Sequence, residues 1–241
     1  MELSREIDLL RQYIDEAKRI VFFGGAGVST ESGVKDFRSE DGIYSMKFDY
    51  PPEEMLSHDF FFTHTEEFYR FYRGTLLKPG IQPNKAHYAL ARLEQTGKLT
   101  AIITQNIDGL HQKAGSKRVF ELHGSVDRNR CVKCEKFYTY DELPADAVPR
   151  CGCGGLIKPE VVLYGEPLDN SVITDAVNEI LHADTMIVAG SSLTVYPAAG
   201  LLRYFGGKRL ILINRDATPY DNAADLVIRS LVGETLDKVI K

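Results

Sequence analysis

Ile20-Val21-Phe22-Phe23-Gly24-Gly25-Ala26-Gly27-Val28-Ser29-Thr30-Glu31-Ser32-Gly33-Val34-Lys35-Asp36-Phe37-Arg38 runs from an apolar stretch into glycines and hydroxyls. Its apolar start reads as a buried strand. Glycines at the end of that strand let the backbone turn sharply and approach a ligand closely. Ser29 and Thr30 follow where a helix would begin, and the free N–H groups of a helix N-terminus suit a pyrophosphate. The first reading is therefore a dinucleotide turn in a Rossmann-like fold. Two features resist it. The pattern Gly25-x-Gly27-x-x-Thr30 lacks the third glycine of the usual fingerprint. No strand ending in an acidic residue follows about 20 residues later, where a dehydrogenase holds the ribose. A tight structural turn is the competing reading, and Asp36-Phe37-Arg38 is explained by neither.

Outward from that stretch, the chain reads as alternating strands and helices. Leu3, Ile7, Leu10, Ile14 and Ala17 recur at helical spacing before the first strand, which predicts an amphipathic packing helix. Residues 58–77 are crowded with Phe and Tyr, and Pro51-Pro52 opens them. That pattern predicts a small helical module with an aromatic core. Pro83-Asn84 caps a helix carrying Ala86, Leu90 and Leu93. Strands are expected at 99–104, 119–122, 161–163, 185–189, 210–213 and 226–228, with helices at 169–181 and 231–240. Alternation of this kind argues an α/β fold with a parallel sheet. Polar groups recur where strands end: Gln105–Asp108, His123, Gly190–Ser192 and Asn214. In open α/β sheets ligands bind at that edge.

The 241 residues suffice for one large domain, or for a domain with a smaller insert. A formal net charge of -5 argues against broad, non-specific nucleic-acid binding. No apolar run has the length of a membrane span, and the charged first residues contain no signal-peptide core. A cytoplasmic protein without membrane partners is the expectation. All 4 cysteines fall between Cys131 and Cys153. Cys131-x2-Cys134 and Cys151-x-Cys153 supply thiolates for a closed, tetrahedral, structural zinc site. An iron–sulfur cluster is the other metal this set admits. Gln105-Asn106-Ile107-Asp108 offers two amides and a carboxylate, either for an amide-bearing ligand or for a helix-capping turn. Of the 6 histidines, His123 is the acid–base candidate, because it ends a strand at the ligand edge. His111 reads as a packing residue, and His58, His64, His87 and His182 as surface or helix positions.

Taken together, these stretches resemble the sirtuins, NAD-dependent protein-lysine deacylases, of bacterial type. The motifs that carry the resemblance are Gly25-Ala26-Gly27-Val28-Ser29, Asp36-Phe37-Arg38, Thr104-Gln105-Asn106-Ile107-Asp108-Gly109-Leu110-His111 and Glu121-Leu122-His123-Gly124. The four cysteines, Val162-Leu163-Tyr164-Gly165-Glu166 and Gly190-Ser191-Ser192-Leu193 complete the set, in the family's order over nearly the whole chain. The resemblance implies one catalytic domain over 1–241. Its Rossmann-like larger part would comprise 1–37, 84–127 and 158–241, with helices on both faces of a parallel sheet. Its smaller part would be a helical insert, 38–83, and a four-cysteine zinc ribbon, 128–157. NAD would be consumed as co-substrate against Ala26, Thr30, Phe37, Arg38, Gln105, Ile107, Asp108, His123, Ser191, Ser192, Asn214 and Val232. Asn106 and His123 would be catalytic, with His123 the general base on a ribose hydroxyl. Val162, Gly165 and Glu166 would hold an acetyl-lysine peptide by strand addition. Nicotinamide, free lysine and 2′-O-acetyl-ADP-ribose would be the products, and nicotinamide a product inhibitor.

This chain departs from the family at several positions. Lys35 stands where proline is common, Tyr164 where Phe is usual, and Ser191 where Thr is frequent. Tyr72 matches the tyrosine of the dicarboxylyl-lysine branch, but Thr75 takes the place of its arginine, so deacetylation, or removal of longer acyl chains, is expected over desuccinylation. Mono-ADP-ribosyl transfer, hydride transfer by a dehydrogenase and a non-catalytic zinc-ribbon module are the competing functions.

Overall fold

The computed structural model describes residues 2–37, 42–78, 80–145 and 147–241, so Arg38 lies outside the described residues. In chain order the strands are β1 (Ile20–Gly24), β2 (Leu99–Thr104), β3 (Val119–Glu121), β4 (Gly124–Cys131), β5 (Phe137–Thr139), β6 (Ile157–Val161), β7 (Thr185–Ala189), β8 (Arg209–Ile213) and β9 (Leu226–Ile228). The helices are α1 (Glu2–Glu16), α2 (Pro52–Met55), α3 (His58–Thr63), α4 (Thr65–Phe71), α5 (Lys85–Gln95), α6 (Leu110–Lys113), α7 (Asn170–His182) and α8 (Val232–Val239).

Six strands form one sheet in the order β3-β2-β1-β7-β8-β9, and every pairing in it is parallel. Alternation along β1 explains why the sheet is covered twice. Ile20 and Phe22 point into one apolar cluster with Leu10, Ile14, Leu90 and Leu236, from α1, α5 and α8. Val21 and Phe23 point into the other, with Ala176 and Ile180 of α7 and Leu201 and Leu202 of a following 3₁₀ turn. A strand buried on both faces reads as a continuous apolar run, as Ile20–Phe23 does. Caps fix the helix starts. Asn84 accepts the Ala86 N–H at 2.8 Å, and Asp169 accepts the Ser171 N–H at 2.7 Å.

The order reverses between β1 and β7. There the loop after β1 and the loop after β7 leave in opposite senses and open a crevice, the ligand position of doubly wound sheets. The two loops nonetheless touch. The Gly27 N–H donates to the Gly190 carbonyl at 2.8 Å, and the Gly25 N–H to the Ala189 carbonyl at 3.1 Å. A Cβ on Gly27 would lie 2.7 Å from the Gly190 Cα. One on Gly190, whose φ is +59°, would strike the backbone of Gly27 and Val28.

The second body is smaller. β5-β4-β6 form a three-stranded antiparallel sheet beside the cysteines. α2, α3, α4 and a π-helical turn at Tyr72–Leu76 pack into an aromatic core of Phe60, Phe61, Phe68, Tyr69 and Tyr72, which also takes in Val161 and Leu163. The Tyr69 hydroxyl donates to the Ile157 carbonyl, and Arg73 donates to the carbonyls of Pro144 and Ala147 at 2.7 Å each. The helical insert and the cysteine-bearing segment are thereby one packed unit.

Three local expectations need correction. The strand expected at 161–163 lies at Ile157–Val161. β6 is an edge strand, which accommodates Pro159, and beyond it the chain changes partners. Val162 N–H goes to the His123 carbonyl and Tyr164 N–H to the Leu56 carbonyl. Leu3 is exposed although it shares the periodicity of the buried Leu10 and Ile14. His87 is helical but wholly buried rather than on the surface.

Gly190→Ala is expected to destabilise the protein by about 2–4 kcal/mol, from the left-handed backbone and the clash together. Urea unfolding midpoints of the variant and the natural chain measure this. A midpoint unchanged by the substitution would contradict the close approach described here.

Candidate active site

The crevice is a cleft of about 380 Å³ walled by both bodies. Backbone hydrogen bonds that extend the sheet past its strand ends place the side chains. Gln105 N–H donates to Gly24, Leu122 N–H to Thr104, Gly190 N–H to Ile213 and Asn214 N–H to Ile228, each at 2.9–3.1 Å. Gln105, His123, Ser191 and Asn214 therefore emerge on one edge. The cleft brings together Ala26, Thr30, Phe37, Gln105, Asn106, Ile107, Asp108 and His123. Ser191, Ser192, Asn214, Val232, Val162, Gly165 and Glu166 also line it.

His123 is fixed by its Nδ1, which lies 2.9 Å from the Gln105 carbonyl. A carbonyl only accepts, so Nδ1 carries the proton and Nε2 keeps its lone pair. Burial lowers the imidazole's pKa, opposed by the Gln105 carbonyl. The neutral, proton-accepting form is thereby favoured at neutral pH. Gln105 donates nothing from Nε2, which is buried and unpartnered among the described residues; its Oε1 accepts from Ser191 at 3.1 Å. An orphaned amide N–H₂ among residues lining the cleft, beside glycine backbones with no side chains to fill the space, fits a hydroxyl-rich ligand such as a nucleotide ribose.

Beneath this floor Ser29, Asn106, Asp108 and His87 join in a node that the sequence offered only as separate residues. Ser29 is fully buried. Its hydroxyl donates to Asp108 Oδ2 at 2.6 Å and accepts from Asn106 Nδ2 at 3.0 Å. His87 Nε2 lies 3.5 Å from the same oxygen, and the His87 ring meets that of His111 at 4.7 Å. Burial raises the Asp108 carboxyl, opposed by the hydrogen bonds from Ser29 and Leu110. Burial pushes His87 down to about 4, and burial and then His87 hold His111 well below the usual imidazole range. The sequence offered Ser29, Asn106 and Asp108 separately, with no sign that they join His87 in one node.

Some sequence candidates are engaged elsewhere. The Glu166 carboxylate binds Lys158 at 2.9 Å and accepts the Leu163 N–H at 2.8 Å, so it shapes the loop that it belongs to. Asn214 Nδ2 donates to the Asp216 carbonyl at 2.9 Å. Val195, Tyr196 and Arg215 line the cleft without having been foreseen.

The four cysteines also converge. Their sulfurs all lie within 4.8 Å of one another, although the two pairs are far apart in sequence. Hydrogen-bond donors gather on them: Lys133 N–H points to Cys131 Sγ at 3.4 Å, and the Tyr138 O–H to Cys151 Sγ at 3.1 Å. The Cys153 N–H and then Tyr138 hold the Cys151 thiol down to about 6. Four thiolates in one cluster fit tetrahedral zinc with no open position.

Residues 25–197 match the model of the Sir2 family. The chain is similar to the NAD-dependent protein deacetylase of Clostridium acetobutylicum, 56% identical over 245 residues and covering 100% of each chain. It is 56% identical to that of Clostridium perfringens, over 99% of this chain and 100% of the relative. Among solved structures, a complex of Sir2 with p53 peptide and NAD+ superposes with a TM-score of 0.85 at 42% identity, over 97% of this chain and 96% of that one. A complex with the inhibitor EX-527, 2′-O-acetyl-ADP-ribose and deacetylated p53 peptide gives 0.84 at 40% identity, over 96% of each.

Two outcomes are expected. An unfolded histidine protonates near 6.5, whereas His87 in the fold waits until about 4. Between those values the unfolded chain binds the extra proton, so stability falls as the pH falls through that window, by about 3 kcal/mol at its lower end. Urea unfolding of the protein and of His87→Gln should show the variant's stability penalty shrinking as the pH drops from 7 to 4.5. Metal analysis should find one zinc per chain. Its extraction by a chelator should unfold the cysteine module, at a cost on the order of 10 kcal/mol. Protein with no extractable metal would contradict that assignment.

Proposed function

Because the chain belongs to the Sir2 family, we propose that this cleft makes it an NAD-dependent protein-lysine deacetylase, releasing free lysine, nicotinamide and 2′-O-acetyl-ADP-ribose. The observation that carries this reading is His123, its Nδ1 committed to a carbonyl and its Nε2 open to a cleft that also holds an orphaned ribose-type donor. When bound, NAD supplies a ribose carbon that loses nicotinamide and a ribose that accepts the acyl group. All else is the work of side chains. Gln105 Nε2 binds a ribose oxygen. Asp108, held by Ser29 and the Leu110 N–H, receives the carboxamide N–H₂ of the nicotinamide, and Asn106 and Ile107 line the same pocket. His123 Nε2 takes a proton from a ribose hydroxyl. Phe37 covers the reacting ribose and excludes water, Arg38 contacts NAD as the family resemblance implies, and Ala26 and Thr30 meet the diphosphate end. Ser191, Ser192, Asn214 and Val232 hold the adenosine half. Val162 and Gly165 pair with an extended peptide by strand addition, and Glu166 braces that loop.

In this reading the larger part, 1–37, 84–127 and 158–241, holds NAD. The smaller part, 38–83 and 128–157, closes the peptide groove, and the zinc at Cys131, Cys134, Cys151 and Cys153 is structural. The wall of Ile43, Leu56, Leu76, Ile107, Val161 and Leu168 is apolar, which favours acetyl and longer neutral acyl groups. Arg73, next to Tyr72, is spent on the Pro144 and Ala147 carbonyls. Thr75, not Tyr72 or Arg73, lines the cleft there, and a neutral hydroxyl gives a succinyl carboxylate no cation to pair with. No helix among the described residues is long and apolar enough to cross a membrane.

An acyl-peptide panel with NAD, read by mass spectrometry, tests the proposal. Acetyl-lysine should be cleaved with a higher kcat/KM than succinyl-lysine, with one nicotinamide released per lysine freed. His123→Ala should lower turnover by roughly 10²–10⁴-fold. Protein gaining ADP-ribose, or an absorbance change at the nicotinamide band without nicotinamide release, would sink it.

A further inference from the structure

Tyr164 carries a hydroxyl at the groove where the family usually has none. Its backbone is pinned on both sides: the Tyr164 N–H donates to the Leu56 carbonyl and the His58 N–H to the Tyr164 carbonyl, each at 2.9 Å. The ring therefore leaves a fixed anchor, 43% exposed, and its oxygen lies 2.7 Å from the Tyr44 hydroxyl. Tyr44 in turn belongs to Phe37. The Tyr44 N–H donates to the Phe37 carbonyl at 3.0 Å, and the two rings meet edge to face at 5.6 Å. All three aromatic residues line the cleft. They form a row from the peptide strand to the residue assigned to cover the ribose.

We propose that Tyr164 is a positioning residue for NAD. Through its hydroxyl bond to Tyr44, it fixes the Phe37 ring over the cleft from the peptide side. The inference rests on the reading that NAD occupies the cleft beneath Phe37. A half-exposed hydroxyl pair competes with water, so its net contribution is modest. It acts on binding because it holds the same geometry in the ground state and in the transition state.

The test uses Tyr164→Phe, Tyr44→Phe and the double variant, each of which keeps its ring and its packing. Titration calorimetry gives the Kd for NAD, and steady-state nicotinamide release with acetyl-lysine peptide gives KM and kcat. Tyr164→Phe should weaken NAD binding by about three- to tenfold and raise the KM for NAD to match, with kcat changed by less than twofold. Tyr44→Phe should do the same, and the double variant no more than either single one. An unchanged Kd in Tyr164→Phe, or additive losses in the double variant, overturns the proposal. A natural chain that binds NAD but frees no lysine overturns the deacetylase reading instead, and the Kd series still decides the role of Tyr164.

Discussion

Everything in this structure is arranged around the backbone contact between Gly27 and Gly190. It lies at the one place where the sheet changes direction, and it joins the first strand's loop to the loop of a strand more than 160 residues away. A side chain on either residue would force the two loops apart. With both absent, the crevice has a floor of peptide groups. Such a floor lets a ligand lie close against the backbone without the bulk or mobility of side chains. The third glycine of a dehydrogenase fingerprint is unnecessary here, because the close approach is made to a second loop rather than within one.

The chemistry above that floor depends on where protons are kept. Carbonyl, hydroxyl and burial each assign one. Gln105 gives His123 its tautomer, Ser29 points its proton at Asp108, and the buried His87 and His111 stay neutral behind them. No cation among the described residues contacts the Ser29–Asp108 pair. Its carboxylate is therefore stabilised by hydrogen bonds alone, a setting in which an incoming amide N–H₂ is a welcome further donor.

Much of this was legible in the chain. Seven apolar runs, most with polar residues at their ends, predict a parallel sheet with a ligand edge; six of them form that sheet, and its edge holds Gln105, His123, Ser191 and Asn214. The cysteine spacing predicts one cluster, and the four sulfurs meet. What was illegible is what periodicity cannot express. Helical spacing marks His87 as a helix residue but not which side of α5 faces the sheet. Residues 161–163 are apolar enough for a strand, yet their hydrogen bonds go to three different segments. Ser29 and Asp108, like Tyr44 and Tyr164, are distant in sequence and adjacent only through the fold.

The strand order has a consequence for how the molecule comes to exist. β1 is made well before β7, one of its two neighbours in the sheet. The crevice is the seam where these distant segments meet. Until β7 is available, β1 has an open edge of unpaired N–H and carbonyl groups, a template for the wrong partner. Contacts of such long range are slow to form. A nucleotide that bridges the seam binds the finished fold alone, so the same molecule that serves as substrate also guards the join that was hardest to make.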